Sequence, residues 1–548
     1  MSASRYTDWF GFDTENDEEG KVTLTALASE FGDIEVETEA GKLAKKIDDQ
    51  EFDDGTAIVM HNLEYDLRNE FGDYYPYLGL TYLKGRLITA RYKNVTFLDS
   101  FNHYRCALSV IGKAFGLEKG KFDIHDPAYV SVDAQIPVKA MAFTRDYLAS
   151  LGGRIGATAG SSAMSVWLEM TGEDFLTGPK DDEWLRKGYA GGRVELFRDH
   201  AQGAVRGYDV NSMYPNAMLD DFPMVTTEDL GIKKKKGMAE VTISIPHDLH
   251  VAPLFHKDAN GRMTYPVGVI RGIWCYDEIR YAESVGAKVI KVHKAIGSNY
   301  CERPFDEFVT TLYKKRQEST NPAEREVLKC ILNSLYGKMA AGRMITRVVS
   351  KHDLVKSNSK RLGEVTWIDH NRGLLDFFPP SPRYVNVLWG AQITANARIH
   401  LSKLLSSVPP EKLIYCDTDS VYTVDHELPL SPGLGGLKLE HDGKTVMRVL
   451  QPKCYQLDDF YKAKGIPKPK LKDDGTIEIN FAKQYIEDGM AEFSAPVRFK
   501  ESIKRGLPHN KWIPRQKSRK TEYTSKRLYA HRYFPPVLGA QLELFPAA

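Results

Sequence analysis

The chain has 548 residues, 42% of them hydrophobic and 27% charged, with a formal net charge of +1. This balance is that of a globular protein of two to four domains, and it excludes collagen-like, low-complexity and cysteine-scaffold chains. No apolar run reaches the roughly eighteen residues of a membrane-crossing helix, and the opening MSASRYTDWFGFDTEND lacks a basic-then-apolar signal pattern, so no membrane association and a cytoplasmic location are expected.

The first 60 residues are acidic, with 5 Lys/Arg against 16 Asp/Glu. Within them FDTEN (12–16) sets Asp13 and Glu15 two apart, hence on one face of a strand. Apolar runs at 22–32, 56–60 and 94–101 read as further strands, and HNLEYDL (61–67) places Asn62, Tyr65 and Asp66 directly after one of them. Helical patterns cover 107–117 and 137–170. The alternation predicts an α/β unit of about 170 residues, a common domain size. A Gly-, Pro- and charge-rich stretch, DFLTGPKDDEWLRKGYAGGRVE (174–195), then reads as a connector.

Past the connector, strands and helices mix without a repeat. In RGYDVNSMYPNAML (206–219) a strand ends at Asp209 and Val210, and a helix follows that carries Tyr214. NPAEREVLKCILNSLYGKMA (321–340) is a strong helix, with Asn321 to cap it, Pro322 in its first turn and Gly337 near its end. Lys329, Asn333, Tyr336 and Gly337 recur there at helical spacing, so one face carries a cation, an amide, a ring and a gap. YCDTDS (415–420) puts Asp417 and Asp419 between two β-favouring runs, where like charges repel unless cations join them. QPKCYQL (451–457) offers Lys453 and Tyr455 on one face of a strand. The six cysteines, at 106, 275, 301, 330, 416 and 454, form no CxxC pair, so they are expected to be reduced and not to bind zinc. The end of the chain is basic, with 12 Lys/Arg against 4 Asp/Glu in 491–548 and aromatics interleaved in RQKSRKTEYTSKRLYAHRYF (515–534), a composition suited to a polyanion.

A lone Asp at a strand end is ordinarily a turn cap. DVNSMYP, KCILNSLYGK and YCDTDS in this order, however, resemble motifs A, B and C of family B DNA polymerases, and the gaps between them are similar to those of the protein-primed phage enzymes. The resemblance implies an α+β right-hand polymerase preceded by a ribonuclease H-like 3′–5′ exonuclease domain. The expected boundaries are exonuclease 1–178 and polymerase 179–548. The polymerase would divide into palm 190–220 and 385–455, a first insertion 221–300, fingers 301–345, a second insertion 346–384 that encloses DNA, and thumb 456–548.

By the same resemblance Asp209, Val210 and Asp419 hold two Mg²⁺ ions, replaceable by Mn²⁺, with Asp417 in support. Tyr214 excludes the ribose 2′-hydroxyl, and Lys329 takes the triphosphate. Asn333, Tyr336 and Gly337 shape the base-pair pocket, Lys453 and Tyr455 hold the primer end, and YAGG, with Tyr189, Gly191 and Gly192, meets template phosphates. Asp13, Glu15 and Asp66 hold the exonuclease metals, with Asn62 and Tyr65 on the strand being cut. The third exonuclease motif, Tyr then Asp four residues on within a helix, is assigned to Asp146, although Ala142 stands where the tyrosine belongs. YVSVD (129–133) is a formal match that lies ahead of the expected helix, beside Pro127 and Pro137. Implied partners are primer-template DNA, deoxynucleoside triphosphates and a terminal priming protein, for a chain acting as a monomer. The alternatives are a conventionally primed or primer-independent relative, or a nuclease whose polymerase half is a scaffold.

Overall fold

The computed structural model describes residues 6–17, 20–120, 123–172, 175, 182–258, 261–342, 344–356, 362–471, 477–509 and 511–518. The chain forms two compact units, one made of 1–173, 310–382 and 494–515, the other of 174–309, 383–493 and 516–548. Both mix helix and sheet, so the α+β class stands. Among the described residues no helix is long and apolar enough to cross a membrane.

The first unit is built on a ten-stranded sheet. In spatial order its strands are Leu362–Trp367, Arg372–Phe377, Ile345–Ser350, Thr81–Leu83, Arg86–Tyr92, Val95–Asp99, Ala57–Met60, Trp9–Asn16, Val22–Ser29 and Ile34–Glu37. Ala57–Met60 runs parallel to both its neighbours and is wholly buried, as its unbroken apolar sequence AIVM requires. Phe12, Ile58, Leu63, Leu67 and Phe97 form the core beside it. The expected second insertion contributes strands to this sheet. Its strand Ile345–Ser350 pairs with Thr81–Leu83 and continues the sheet that begins at Trp9. Part of the expected thumb joins the same unit: Phe499 is 3% exposed in this core, edge-on to Tyr75 at 5.0 Å.

One helix departs from expectation. The sequence predicts it from 137, yet it runs Pro127–Ser150, with a second helix at Ala159–Thr171. Two prolines account for the difference. Pro127 sits in the first turn, where no N–H is needed, and the Asp126 side chain caps the helix by accepting from the Ala128 N–H at 2.9 Å. Pro137 is tolerated in the helix interior, buried among apolar neighbours.

The second unit holds an antiparallel seven-stranded sheet in the order Phe460–Ala463, Cys454–Leu457, Leu437–Gln451, His200–Val210, Ser420–Val424, Leu413–Asp417, Val194–Leu196. The buried helix Val387–Ser406 packs on the short helix Met213–Met218. Residues 227–298 add a four-stranded sheet and the helix Tyr276–Ser284 around a core of their own, including Val241, Ile270, Trp274 and Ile279. The basic stretch read at 515–534 lies, beyond residue 518, outside the described residues.

Candidate active sites

In the first unit the strand Trp9–Asn16 presents Asp13 and Glu15, and the helix Pro127–Ser150 crosses it closely. Gly11 permits the crossing, since a Cβ there would stand 1.9 Å from the Ala134 carbonyl oxygen. The neighbour of Ala134 is thereby delivered to the acids. Ligand atoms of Asp13, Glu15 and Asp133 all lie within 4.8 Å of one another. Asp133, not Asp146, thus completes the cluster, and Tyr129 lies one turn before it on the same helix. Asp146 is 13 residues further along, roughly 20 Å at helical rise, with a 67% exposed side chain paired to Arg145. Of the two candidates in the sequence, YVSVD is the one whose Asp the fold brings to Asp13 and Glu15.

Asp66 completes the acidic group from the helix Leu63–Phe71. It is 2% exposed and accepts from the Thr14 hydroxyl at 2.9 Å and the Thr14 N–H at 3.2 Å. Burial, reinforced by Asp66, Asp133 and Glu15, drives the Asp13 carboxyl well above the usual range. Burial and then Asp133 bring Glu15 to about 7. Burial likewise raises Asp133, against the pull of Lys119, which forms an ion pair with it. The Lys119 ammonium also lies 4.7 Å from the centre of the Tyr129 ring. Asn62 caps the Asp66 helix in a left-handed conformation, φ +80°, its N–H held by Asp99 at 3.0 Å. Tyr65 follows one turn on; burial, with Asp66 next, lifts its phenol to about 12.

In the second unit three adjacent strands bring the remaining acids together. Asp209 ends His200–Val210 in register with Ser420, and Asp417 pairs with that same Ser420 across the hairpin. The Val210 N–H donates to the Asp419 carbonyl at 2.9 Å, which fixes Asp419 beside the end of the Asp209 strand. The hairpin tip is tight. Thr418 takes φ +67°, and its N–H donates to the Arg193 carbonyl at 2.7 Å. Gly192 of YAGG abuts it, since a Cβ there would lie 2.7 Å from Thr418 Cγ2 and 3.1 Å from the Tyr214 hydroxyl. Burial, then the charges of Asp209 and Asp417, raise Asp419 to about 7.

These acids line a cleft of about 440 Å³ with Tyr415, Glu440 and Lys453. Two lysines already occupy them: Lys438 Nζ lies 2.9 Å from Asp209 Oδ2, and Lys453 pairs with Asp417. Lys453 does not share a strand face with Tyr455 as expected. It sits in the turn before Cys454–Leu457 at φ +62°, its N–H donating to the Tyr415 hydroxyl at 2.8 Å, while Tyr455 is buried against Tyr422.

Beneath YAGG is a charged support that sequence reasoning missed. Arg398, fully buried, donates to the carbonyls of Ala190 at 2.7 Å and Gly191 at 2.8 Å, and Glu278 holds its other edge at 3.0 Å. Arg193 pairs with buried Glu195 and lies 4.0 Å over the Tyr265 ring. An isolated Arg in a largely buried helix carries no sequence signal for such a role; only the fold assigns its partners.

The helix expected at 321–340 forms as Pro322–Ser334, capped by the Asn321 side chain at 2.9 Å, and resumes at Tyr336–Met339 across Leu335, whose backbone stays helical. Lys329, Asn333 and Gly337 are exposed, whereas Leu328, Leu332 and Leu335 are buried, so the polar face and the core stripe coexist. This helix lies in the same unit as Asp13, where it packs on Ala159–Thr171 and Glu324 accepts from the Tyr147 hydroxyl at 2.6 Å.

Residues 154–366 match the family described as DNA polymerase type B, organellar and viral. A probable DNA polymerase of Podospora anserina is 26% identical over 362 residues, which is 55% of this chain and 29% of that protein. The DNA-directed DNA polymerase of Enterobacteria phage PRD1 is 27% identical over 286 residues, 48% of each chain. The chain therefore spans less than half the length of these curated relatives. Phi29 DNA polymerase, solved with primer-template DNA and incoming nucleotides, has the same fold at a TM-score of 0.70 and 16% identity, over 94% of this chain and 100% of that one.

Proposed function

We propose that this chain is a DNA polymerase of the type B, organellar and viral family that its residues 154–366 match, that it copies a DNA template with deoxynucleoside triphosphates, removes misincorporated 3′ ends, and starts from a protein primer. The observation that carries the reading is the convergence of Asp209, Asp417 and Asp419, remote in sequence, at the ends of neighbouring strands in one cleft.

Both acidic groups suit hard divalent cations. Their donors are carboxylate oxygens, and burial together with neighbouring acids raises Glu15 and Asp419, a cost that a bound cation would relieve. Asp209, Asp419 and the Val210 carbonyl would hold Mg²⁺ or Mn²⁺ in the cleft, and Asp13, Glu15, Asp66 and Asp133 would hold it at the nuclease. When bound, such ions supply Lewis acidity that activates the attacking hydroxyl or water and neutralises phosphate charge.

The remaining roles fall to this chain's side chains. Lys329, exposed on its helix, takes the triphosphate as a mobile cation, and Asn333, Tyr336 and Gly337 shape the pocket of the new base pair. Tyr214 excludes the 2′-hydroxyl by its bulk, with its own hydroxyl beside Gly192. Lys453 and Tyr455 hold the primer end. Tyr189, Gly191 and Gly192 meet template phosphate, their turn held rigid by Arg398. In the nuclease, Asn62 and Tyr65 orient the strand, and Tyr129 orients the attacking water beside Asp133. Residues 221–300 provide the contact for a priming protein, and 346–384 encloses DNA. Phi29 polymerase, of the same fold, is known in complexes with single-stranded DNA and with primer-template and nucleotides.

Primer extension with Mg²⁺ tests the reading. Native chain should extend a primer opposite template and Asp419→Asn should not; extension by both, or by neither, contradicts it. Initiation is tested separately, by asking whether a candidate priming protein becomes covalently labelled by a nucleotide on a seryl, threonyl or tyrosyl hydroxyl.

A further inference from the structure

Lys438 has no counterpart in the motifs that assign the other residues of the cleft. It faces Asp209 directly across the strand pair, and its ammonium lies 2.9 Å from the Asp209 carboxylate. A divalent cation held by that carboxylate would face the ammonium at close range, where like charges repel strongly in a partly dehydrated cleft. The side chain is 49% exposed, so its head is free to swing toward solvent.

We propose that Lys438 is a stand-in cation, which neutralises Asp209 in the metal-free enzyme and must leave it before a divalent ion binds. This rests on the reading of the cleft as the synthetic site. Lys453 engages Asp417 in the same way, so two of the acids that line the cleft already have a lysine partner and draw a free ion less strongly. The nuclease differs, with Lys119 paired to Asp133 among Asp13, Glu15 and Asp66. An incoming triphosphate changes the balance in the cleft. It brings its own chelated cation and offers the displaced Lys438 a new anionic partner. Metal occupancy is thereby tied to nucleotide binding, and Lys438 acts as a positioning residue for the ion without being a ligand to it.

The test is a Mn²⁺ titration of the full chain, reading free Mn²⁺ by electron paramagnetic resonance. Asp13→Ala with Asp66→Ala forms the background, which removes the nuclease ions from the signal. Without nucleotide, Lys438→Met should bind Mn²⁺ about tenfold more tightly than the background protein, Lys438→Arg should bind as weakly as the background, and Asp209→Asn should lose the site. A non-hydrolysable triphosphate on primer-template should tighten Mn²⁺ binding more in the background protein than in Lys438→Met, a comparison whose first arm needs no change at 438. Unchanged or weaker binding by Lys438→Met, with the site still lost in Asp209→Asn, overturns the role of the lysine and leaves the synthetic site standing. Binding that survives Asp209→Asn overturns both.

Discussion

Asp13, Glu15, Asp66 and Asp133 share the company of a single paired lysine, whereas Asp209, Asp417 and Asp419 are met by two. In the first group three residues have ligand atoms within 4.8 Å of one another; the second contains no such trio among the described residues. Backbone geometry enforces the first arrangement, since Gly11 lets a helix carry Asp133 down onto the strand of Asp13. The second is a hinge of side chains, with both lysines long and partly exposed. Folding alone assembles the first carboxylate group, whereas on the proposed reading the second is completed only when substrate arrives.

The sharpest way to break this comparison is to remove one acid from each side. Asp419→Asn should lower primer extension by about 10²–10³-fold and leave single-strand degradation intact, while Asp133→Asn should do the reverse. Loss of both activities in either variant would deny that the sites are separate. Next in size is the contrast within one helix. Tyr129→Phe should slow degradation by roughly a hundredfold with little change in metal affinity, and Asp146→Asn should leave it untouched. Steady-state kinetics on a labelled oligonucleotide with Mn²⁺ titration would decide.

Smaller effects probe the electrostatics. Glu15 and Asp419 are both raised to about 7, so the folded chain holds their protons more tightly than the unfolded chain does. Their contribution to stability is therefore present near pH 4 and lost as the pH rises toward 7. In chelator the thermal midpoint should fall between pH 5 and 8 more steeply in native protein than in Glu15→Gln, and Mg²⁺ should restore it most at the alkaline end. A midpoint independent of Mg²⁺ at pH 8 would count against cation sites at these acids. Smallest in overall rate, though diagnostic, is Tyr214→Val, which should admit ribonucleotides while DNA synthesis continues. Unchanged sugar discrimination in a single-nucleotide incorporation assay would remove Tyr214 from that role.

Much of this was legible in the chain itself. Asp209 and Asp419 sit at or next to the ends of strands that their apolar neighbours announce, Asp13 lies on another such strand and Asp66 on the helix that follows a third, and the capped helix at 322 forms where Asn321 and Pro322 set it. What was not legible depended on tertiary context. Pro127 and Pro137 argued locally against a helix that long-range packing on Gly11 and its strand sustains, and so Asp133 was passed over for Asp146. Lys453 was placed on a strand because its neighbours are strand-like, yet a left-handed turn aims it at Asp417. Lys438, Arg398 and Lys119 gain their meaning from partners 229, 120 and 14 residues away, as Asp209, Glu278 and Asp133. Strand pairing between Ile345–Ser350 and Thr81–Leu83 likewise leaves no local trace.

Anomalous diffraction from crystals grown in Mn²⁺, with and without primer-template and a non-hydrolysable triphosphate, tests the central claim most directly. The account predicts manganese between Asp13, Glu15 and Asp133 in both crystals, and manganese bridging Asp209 and Asp419 at full strength only when the triphosphate is bound. Manganese at Asp146, or none shared by Asp209 and Asp419 in the substrate-bound crystal, would contradict it.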